Sequence, residues 1–335
     1  MNNKLVSVNI LTYNGEHLIG PCLMAVDKQT YGNIEVLVID NASSDHSLEA
    51  AQKTKIKFPI NFIKNDINLG FAKGHNQGIK ESRGEYVLCL NQDVILEKDF
   101  IERLAEVMEK DGRIGAIQGR LYKINDFNHL QREIIDTTGL LIYKNRRVVN
   151  RGQGEKENGQ YGLQEEIFGA DGAAPLYRRA ALEDVKYKNE YFDEDFFCYK
   201  EDIDLSWRMR IFGWKIVYEP KAVGYHLRGA GESATVNLAE IIRQRKRISS
   251  FAKFYSFKNQ RLMQVKNEFV GLFFRHFFSI LIKEAGAWLY ALLFESYARR
   301  AIKQFFSELP RACEKRKYIM ANKRIGASEF LRWFK

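Results

Sequence analysis

The chain is poor in cysteine and proline, and each shortage excludes a class of protein. Its 335 residues include four cysteines, which lie far apart without a C-x-x-C pair, and only five prolines. This pattern excludes a disulfide scaffold and a zinc knuckle, and it is typical of a reducing cytoplasm. A hydrophobic content of 45% excludes wholesale disorder and is sufficient for a large packed core. The length allows one large domain or two of ordinary size.

Two familiar kinds of signal are also missing. Residues 1–4 run directly into an apolar stretch, without the architecture of a signal peptide. The glycines near Gly70 and Gly152 match neither the G-x-x-x-x-G-K-[ST] pattern nor a G-x-G-x-x-G turn that follows a strand. P-loop and ordinary dinucleotide-binding interpretations therefore lose support. We expect a cytoplasmic protein with another kind of site.

Aspartate is absent after Asp204, and the charge is divided unevenly along the chain. The net charge of +10 suggests nucleic acid or a membrane surface as a partner. However, residues 236–335 carry 21 Lys and Arg against seven Glu, a net of +14, whereas residues 1–235 carry 31 basic and 35 acidic residues, a net of −4. We predict a domain over 1–235 and a basic helical region over 236–335. A nucleic-acid partner is disfavoured because the first region is net acidic.

Apolar strands alternate with helical stretches through the first 110 residues. Strands are predicted over 5–11, 34–40, 60–63 and 86–90. Helices are predicted over 17–28, from an N-cap at Ser44 to 55, and over 71–82 and 99–110. Such alternation predicts an α/β fold with a mostly parallel sheet flanked by helices. A further strand over 215–218 precedes a turn at Pro220, and the region after 240 is expected to be helical.

Polar residues follow each of the first four strands, where parallel sheets bind ligands. They are Thr12, Tyr13 and Asn14, then Asp40, then Asn68 and Gly70, then Asn91, Gln92 and Asp93. The Asp40 carboxylate can accept from a base N–H or a ribose hydroxyl, but it can equally form a turn that caps a helix. Asp93 beside neutral amides suits a Mg²⁺ ion that retains waters and binds substrate phosphates, although a loop aspartate is the simpler alternative.

The segment 196–208 places three carboxylates beside aromatic residues at the start of a predicted helix. Asp204 lies four residues before Arg208, the spacing of a helical ion pair. Asp202 lies about 200° around the helix from Asp204 and has no local partner. Aromatic neighbours would desolvate Asp202 and raise its pKa towards that of a general base. The alternative is that the whole cluster only caps the helix.

In this order the motifs resemble family 2 glycosyltransferases with a GT-A fold, especially the rhamnosyltransferase-like branch. The resemblance covers roughly residues 5–230. It rests on Thr12–Asn14, Val38–Asp45, Asn68–Ala72 with Asn76–Gly78, Leu90–Asp93, Phe168–Ala174 with Arg178 and Arg179, Glu201–Arg208, and His226. It implies a Rossmann-like, mostly parallel sheet, followed here by the C-terminal helical region.

The resemblance also implies roles for individual residues. The donor nucleotide would be bound by Thr12, Tyr13, Asn14, Asp40, Asn68, Gly70, Asn76, Asn91 and Gln92. Asp93 and His226 would hold Mg²⁺ or Mn²⁺, and Asp202 would be the catalytic base. The sugar and acceptor would face Gly169, Ala170, Asp171, Gly172, Glu201 and Arg208. Asn91 stands where the family's D-x-D motif has its first acid, so a non-catalytic nucleotide-sugar-binding protein with a degenerate metal site is the alternative.

The reaction that the resemblance implies is an inverting transfer from a nucleoside-diphosphate sugar. The donor would be a dTDP- or UDP-sugar, with rhamnose one candidate, and the acceptor a hydroxyl of a glycan or lipid-linked acceptor in cell-surface polysaccharide synthesis. Asp202 would remove the proton of the acceptor hydroxyl, and the cation would neutralise charge on the leaving group.

Two apolar runs over 269–282 and 285–294 fall short of the roughly 20 uncharged residues of a spanning helix. Basic residues surround them: Arg243, Arg245, Lys246, Arg247, Arg299, Arg300, Lys315, Arg316 and Lys317. We predict helices that lie in an anionic membrane interface, peripheral on the cytoplasmic face. The alternative is a helical subdomain that packs on the core with an exposed basic face.

Overall fold

The structure is a computed structural model that describes residues 3–227, 243, 245 and 248–335. The predicted domain boundary between 235 and 236, and the basic residues Lys246 and Arg247, lie outside the described residues.

Within the described residues the centre of the fold is a ten-stranded, mostly parallel sheet in the order β10-β12-β6-β11-β4-β1-β2-β3, with β5 on β12 and β7 on β6. The strands are β1 (Val6–Thr12), β2 (Ile34–Asp40), β3 (Ile60–Lys64), β4 (Tyr86–Asn91), β5 (Val94–Leu96), β6 (Ile114–Lys123), β7 (Ile135–Thr137), β8 (Leu140–Ile142), β9 (Val148–Asn150), β10 (Glu165–Glu166), β11 (Leu176–Arg178) and β12 (Lys215–His226). Strands β8 and β9 form a separate hairpin. The predicted α/β fold is confirmed.

Helices cover both faces of the sheet. Those of the first two thirds are α1 (Ile19–Asp27), α2 (Ser47–Lys53), α3 (Gly70–Glu81), α4 (Phe100–Lys110), α5 (Arg179–Val185) and α6 (Glu201–Ile211). Those of the last third are α7 (Ser250–Asn267), α8 (Val270–Arg275), α9 (Phe277–Phe294), α10 (Ala298–Ala321) and α11 (Ala327–Phe330). Short 3₁₀ helices cover Glu194–Phe196 and Leu331–Trp333.

The central strands are apolar because both of their faces are covered. All seven residues of β2 are buried, as expected for a parallel strand between two layers of helices. Helices α1 and α4 pack on one face of the sheet. On the other face, α6 packs together with α7, α10 and α11 in one hydrophobic cluster. In that cluster Trp207 of α6 stacks on Phe330 of α11, with ring centroids 5.8 Å apart. Much of the C-terminal region therefore shares the core of the α/β region.

Three local predictions were wrong. Ser44 does not cap α2, because its backbone N–H donates to the Asn14 side chain instead (2.8 Å) and the helix begins at Ser47. Pro220 does not end its strand: β12 continues to His226, with an irregular register between Glu219 and Val223. The two apolar runs do not correspond to two separate helices. The helical conformation is interrupted at His276, and α9 contains the end of the first run together with the whole of the second.

Candidate active site

A cavity of about 420 Å³ opens beside the carboxyl end of β4. Its lining includes Asn91, Asp171, Gly172, Glu201 and Asp202, all of which the sequence predicted as site residues. Three parts of the wall were not predicted. They are the β8–β9 hairpin through Leu140 and residues 148–150, α7 through Ala252 and Ser256, and the residues Phe71, Tyr199 and Lys200. The hairpin and α7 are distant in sequence from the motifs, so no local pattern joins them to the site, whereas Phe71, Tyr199 and Lys200 lie within or beside motifs but had no predicted role.

Asp202 is held in place by backbone donors at the floor of the cavity. The N–H of Gly172 donates to Asp202 Oδ2 (3.0 Å), and the N–H of Ile203 donates to Oδ1 (2.8 Å). Burial, and then the neighbouring Asp171 carboxylate, raise the pKa of Asp202 to about 6. The side chain is thus fixed in direction and is a stronger base than an exposed aspartate.

Glu201 lies beside Asp202 but is more deeply enclosed. Only 6% of Glu201 is exposed, and its Oε2 atom has no hydrogen-bond partner among the described residues. Burial, followed by the charge of Asp202, raises the pKa of Glu201 well above its usual range. The two neighbouring carboxyl groups therefore differ: Asp202 ionises more readily than Glu201.

The loop that leads into α6 is strained and is held by the C-terminal region. Three non-glycine residues in it have a positive φ: Phe197 (62°), Tyr199 (68°) and Lys200 (74°). Such conformations persist only where the surroundings over-determine them. The Nδ2 atom of Asn259, on α7, lies within 2.8–2.9 Å of the carbonyl oxygens of residues 196, 198 and 199. Asn259 therefore ties the approach to Asp202 to α7, a contact that the sequence did not predict.

A second polar group forms where β1 and β4 end. The Gln92 Oε1 atom accepts from the Thr12 hydroxyl (2.5 Å) and from the Tyr13 N–H (3.2 Å). A Cβ atom at Gly15 would lie 2.1 Å from the same Oε1, so a larger residue there would displace the Gln92 amide. The Tyr13 ring remains 46% exposed. The structure thus brings the predicted residues Thr12, Tyr13 and Gln92 together at one edge of the sheet.

Asp40 ends β2 beside this group and is 1% exposed. Its Oδ2 accepts a long hydrogen bond from the Ser43 N–H (3.4 Å), and its Oδ1 has no partner among the described residues. A buried acceptor without a donor is unfavourable unless a ligand or water supplies one. Asn14, with a φ of 47°, accepts from Ser44 and fixes the adjoining loop. The structure thus leaves a hydrogen-bond acceptor at the position where the sequence predicts contact with a base N–H or a ribose hydroxyl.

Asn68 and Gly70 shape a loop rather than line the cavity, and Asn41, which the sequence did not single out, connects them. The Asn41 amide donates to Asn68 Oδ1 (2.9 Å) and accepts from the Leu69 N–H (2.9 Å). Gly70 has a φ of 78° and abuts the backbone of residue 197. Asn76 is fully buried and bonds to the backbone of residue 192. The only signal for Asn41 was an amide in the turn after β2.

Asp93 and His226 meet although 133 residues separate them in the sequence. Strand β12 pairs with β5 so that His226 lies opposite Val94, and this register places His226 Nε2 3.3 Å from Asp93 Oδ1. The other ring nitrogen, Nδ1, lies 2.8 Å from Asp136 Oδ2 on β7. Burial lowers the pKa of His226, but the hydrogen bonds to Asp136 and Asp93 outweigh it and raise the pKa to about 9. Nothing in the local sequence pattern pointed to Asp136.

This arrangement fits a divalent cation with shared ligands. Among the described residues no group of three His, Cys, Asp or Glu side chains could hold a metal by itself. However, a carboxylate that orients the far nitrogen of a histidine is a common feature of metal sites. One carboxylate and one imidazole suit an ion whose other ligands are phosphate oxygens and water. Asp93 and His226 could therefore hold a cation together with a bound diphosphate.

Some of the residues predicted to face the sugar and the acceptor do not line the cavity and lie behind its wall. The Arg208 guanidinium is buried and donates to Asp204 (3.1 Å) and to the carbonyl oxygen of Val185 (2.7 Å). The helical ion pair with Asp204 is therefore present, and it turns Arg208 away from the cavity. Ala170 is also buried, and its N–H donates to Ser206 Oγ (3.1 Å). Gly169 packs closely on the same serine. These residues support the loop, whereas Asp171 and Gly172 reach the cavity.

Comparisons of the sequence with curated proteins find related enzymes. The chain is 27% identical over 223 residues to the poly-beta-1,6-N-acetyl-D-glucosamine synthase of Staphylococcus epidermidis, a match that covers 66% of this chain and 50% of that protein. The same enzyme of Staphylococcus aureus strain COL is 29% identical over 216 residues, covering 64% and 48%. The chain thus spans about half the length of these curated relatives.

Solved structures share the fold at low sequence identity. S. aureus TarS 1–349 in complex with UDP-GlcNAc has a TM-score of 0.56 and 17% identity, covering 95% of this chain and 88% of that one. The mannosyltransferase PcManGT of Pyrobaculum calidifontis, in complex with GDP-Man and Mn²⁺, has a TM-score of 0.53 and 16% identity, covering 96% and 86%. The family model for glycosyl transferase family 2 matches residues 7–186, just over half of the chain. The chain therefore belongs to glycosyl transferase family 2.

Proposed function

We propose that the protein is an inverting glycosyltransferase that transfers a sugar from a UDP-sugar to a hydroxyl of a cell-surface glycan or lipid-linked acceptor. The observation that carries the proposal is Asp202, a carboxylate with a raised pKa that faces a cavity beside the carboxyl end of the sheet. Family membership supplies the class of reaction. N-acetylglucosamine is the first candidate sugar, because it appears in the names of the curated relatives and in the TarS complex.

In the proposed reaction Asp202 accepts the proton of the acceptor hydroxyl as the oxygen attacks the anomeric carbon. The new C–O bond forms as the bond to the diphosphate breaks, and the proton remains on Asp202. The N–H groups of Gly172 and Ile203 hold the carboxylate in one orientation throughout. Asp93 and His226 would hold a divalent cation, which supplies positive charge for the diphosphate leaving group. The Asp40 carboxylate would accept a hydrogen bond from the nucleoside part of the sugar donor.

The proposed compartment is the cytoplasm. Cys22, Cys89, Cys198 and Cys313 are all free thiols, which supports a reducing environment.

The proposal is tested with purified protein, Mn²⁺ and separate nucleotide sugars. We expect UDP-GlcNAc to raise the thermal midpoint by several degrees, since a ligand at about 100 times its Kd stabilises a fold by about 2.7 kcal/mol. Slow release of UDP should accompany binding and accelerate with a glycan acceptor. A shift with dTDP-rhamnose instead would support the predicted resemblance to the rhamnosyltransferase-like branch. A shift without any transfer to glycan or lipid-linked acceptors would favour a non-catalytic nucleotide-sugar-binding protein.

Asp93→Ala should abolish the effect of Mn²⁺ on UDP binding. The wild-type protein should bind UDP more tightly with Mn²⁺ than without it, because the ion joins Asp93 and His226 to the diphosphate. The variant should bind UDP equally weakly under both conditions in calorimetric titrations. Glu106→Ala, at an exposed position on α4, serves as the matched control and should keep the Mn²⁺ effect. An unchanged Mn²⁺ effect in Asp93→Ala would reject this metal site.

A further inference from the structure

The outer face of α8 and α9 is apolar and turned away from the protein. It is formed by Phe274, Phe278, Ile282, Leu289, Leu293 and Phe294, which we call the outer apolar face. Phe278 is 77% exposed and Ile282 is 74% exposed, whereas the buried residues of α9 are only Ile280 and Ala291. The exposed apolar residues of α9 also include Phe277, Leu281 and Leu292, so apolar side chains cover much of the exposed surface of the helix. Large exposed apolar patches mark surfaces that bind a protein or a membrane.

The acidic groups of this region are turned inward and neutralised. On α9, Glu284 forms ion pairs with its neighbour Lys283 (2.5 Å) and with Arg261 of α7 (2.7 Å). Just after α9, Glu295 is paired with Arg245 (3.0 Å) and Lys253 (3.1 Å). The carboxylates therefore do not contribute negative charge to the outer apolar face.

Exposed cations lie at both ends of α9. Arg275 precedes the helix, and Arg299, Arg300 and Lys303 follow it. None of them is paired with a carboxylate of the described residues. Exposed apolar side chains and positive charges without carboxylate partners therefore lie close together in this part of the chain, and this combination is typical of helices that lie in the headgroup layer of anionic membranes. Lys315, in contrast, is buried and paired with acids of the core, so it does not belong to this surface.

We propose that the outer apolar face docks on an anionic lipid surface, with α9 parallel to the membrane and its exposed cations at the headgroups. A second copy of the chain suits the surface less well, because a twofold contact would bring the same cations together. The docking does not depend on the proposed function.

By length and composition α9 could also cross a membrane, since its 18 residues have a mean hydropathy of 1.5. A spanning orientation would carry Lys283 and Glu284 into the hydrocarbon layer and would break the pairing of Glu284 with Arg261. At about 1.5 Å per residue, the helix is also slightly shorter than the hydrocarbon core. The internal pairing of its charges therefore favours an interfacial position.

The docked orientation would place the cavity close to lipid. Helix α7 contributes Ala252 and Ser256 to the cavity wall, and Phe257 on the same helix packs against Trp288 of α9, with ring centroids 5.3 Å apart. Helix α7 therefore lies between the cavity and α9, the helix that carries most of the outer apolar face.

The test is sedimentation of the full chain with vesicles of phosphatidylglycerol and phosphatidylcholine, or of phosphatidylcholine alone. We expect binding at low salt to the anionic vesicles and much weaker binding to the neutral ones. The double variant Phe278→Glu/Ile282→Glu should lower the affinity by about 100-fold or more, because charges replace two apolar side chains that the lipid would bury in the docked state. Leu163→Glu changes an apolar side chain that is 80% exposed elsewhere and should bind as the wild type does.

A second variant separates charge from apolar contact. Arg299→Gln/Arg300→Gln should weaken binding about 30-fold at low salt and little at high salt, given about 1 kcal/mol for each cation near an anionic surface. Thermal unfolding should show that all variants fold as the wild type does. Three results would overturn the proposal: failure to sediment with anionic vesicles at low salt, a dimer in light scattering that Phe278→Glu/Ile282→Glu dissociates, or retention in membranes after alkaline carbonate extraction.

Discussion

Asp202→Asn should lower the rate of sugar transfer by between about 10²- and 10⁴-fold, the usual contribution of a general base, while UDP-sugar binding is unchanged. The amide has nearly the same shape as the carboxylate, but it cannot accept the proton of the acceptor hydroxyl. Transfer rates and donor affinity are measured on the same preparation. Asp66→Asn, an exposed position in the turn after β3, is the control and should transfer at the wild-type rate. Wild-type transfer by Asp202→Asn would reject Asp202 as the base.

The pH profile and the stability of this variant distinguish chemistry from misfolding. Because the base must be ionised, wild-type transfer should rise with pH through about 6, the pKa of Asp202. This pKa is raised above the ordinary value of 3.8, so the fold favours the protonated form. That contribution to stability is present below the unfolded pKa and is lost as the pH rises through about 6. At neutral pH, Asp202→Asn should therefore unfold at the same temperature as the wild type or a higher one.

Lys266→Met should lower the free energy of unfolding by about 3 kcal/mol, within the range for breaking a buried ion pair. Lys266 lies on α7, is 1% exposed, and pairs with Asp193 and with Asp204 Oδ1 (2.8 Å). Lys315 of α10 also pairs with Asp193, and it reaches Asp195 (2.8 Å). Removal of one lysine leaves buried carboxylates with too few positive partners. Denaturant unfolding at neutral pH provides the measurement.

The control for this cluster is Lys317→Met, which changes an exposed lysine of α10 and should alter stability by less than about 0.5 kcal/mol. Burial tends to raise the pKa of Asp193, but Lys266 and Lys315 hold it well below its usual range. A lowered pKa stabilises the fold above the unfolded value of about 4, and this stabilisation is lost as the pH falls from that value towards the lowered pKa of the folded state. The difference between Lys266→Met and wild type should therefore shrink in acid. If Lys266→Met lowered the free energy of unfolding by less than about 1 kcal/mol at neutral pH, Lys266 would not be needed to neutralise the buried carboxylates.

The parts of the site that follow strands could be predicted from the sequence. Thr12, Asp40, Asn91 and Asp93 come directly at or after apolar strands, and parallel strands bring such positions to one edge of a sheet. The opposite directions of Asp202 and Asp204 followed from helix geometry alone, and the structure separates them: Asp202 faces the cavity and Asp204 is buried in the ion cluster. Local periodicity was sufficient for these positions.

Residues whose role depends on distant partners could not be predicted in this way. Asp136 acts through His226, 90 residues later, and Asn259 through a loop about 60 residues earlier. Arg208 was placed in the site although it does not belong there. Its pairing with Asp204 was predicted correctly from their spacing, but α6 directs the Arg208 side chain into the core and not towards the predicted sugar position. Neither the periodicity of apolar residues nor the spacing of local motifs predicts which distant helix will pack against a given face of the sheet or of another helix.

By itself, the sequence determined the α/β sheet, the edge at which ligands are expected to bind, the candidate base at Asp202 and the concentration of positive charge in the last third. All of these depend on contacts or periodicities within a few residues. Only the tertiary structure decided that Asp136 orients His226, that α7 forms a wall of the cavity, and that the acids of residues 277–295 turn inward while apolar side chains face out. These features arise from packing between segments far apart in the chain, where the shape and charge of each partner decide the outcome.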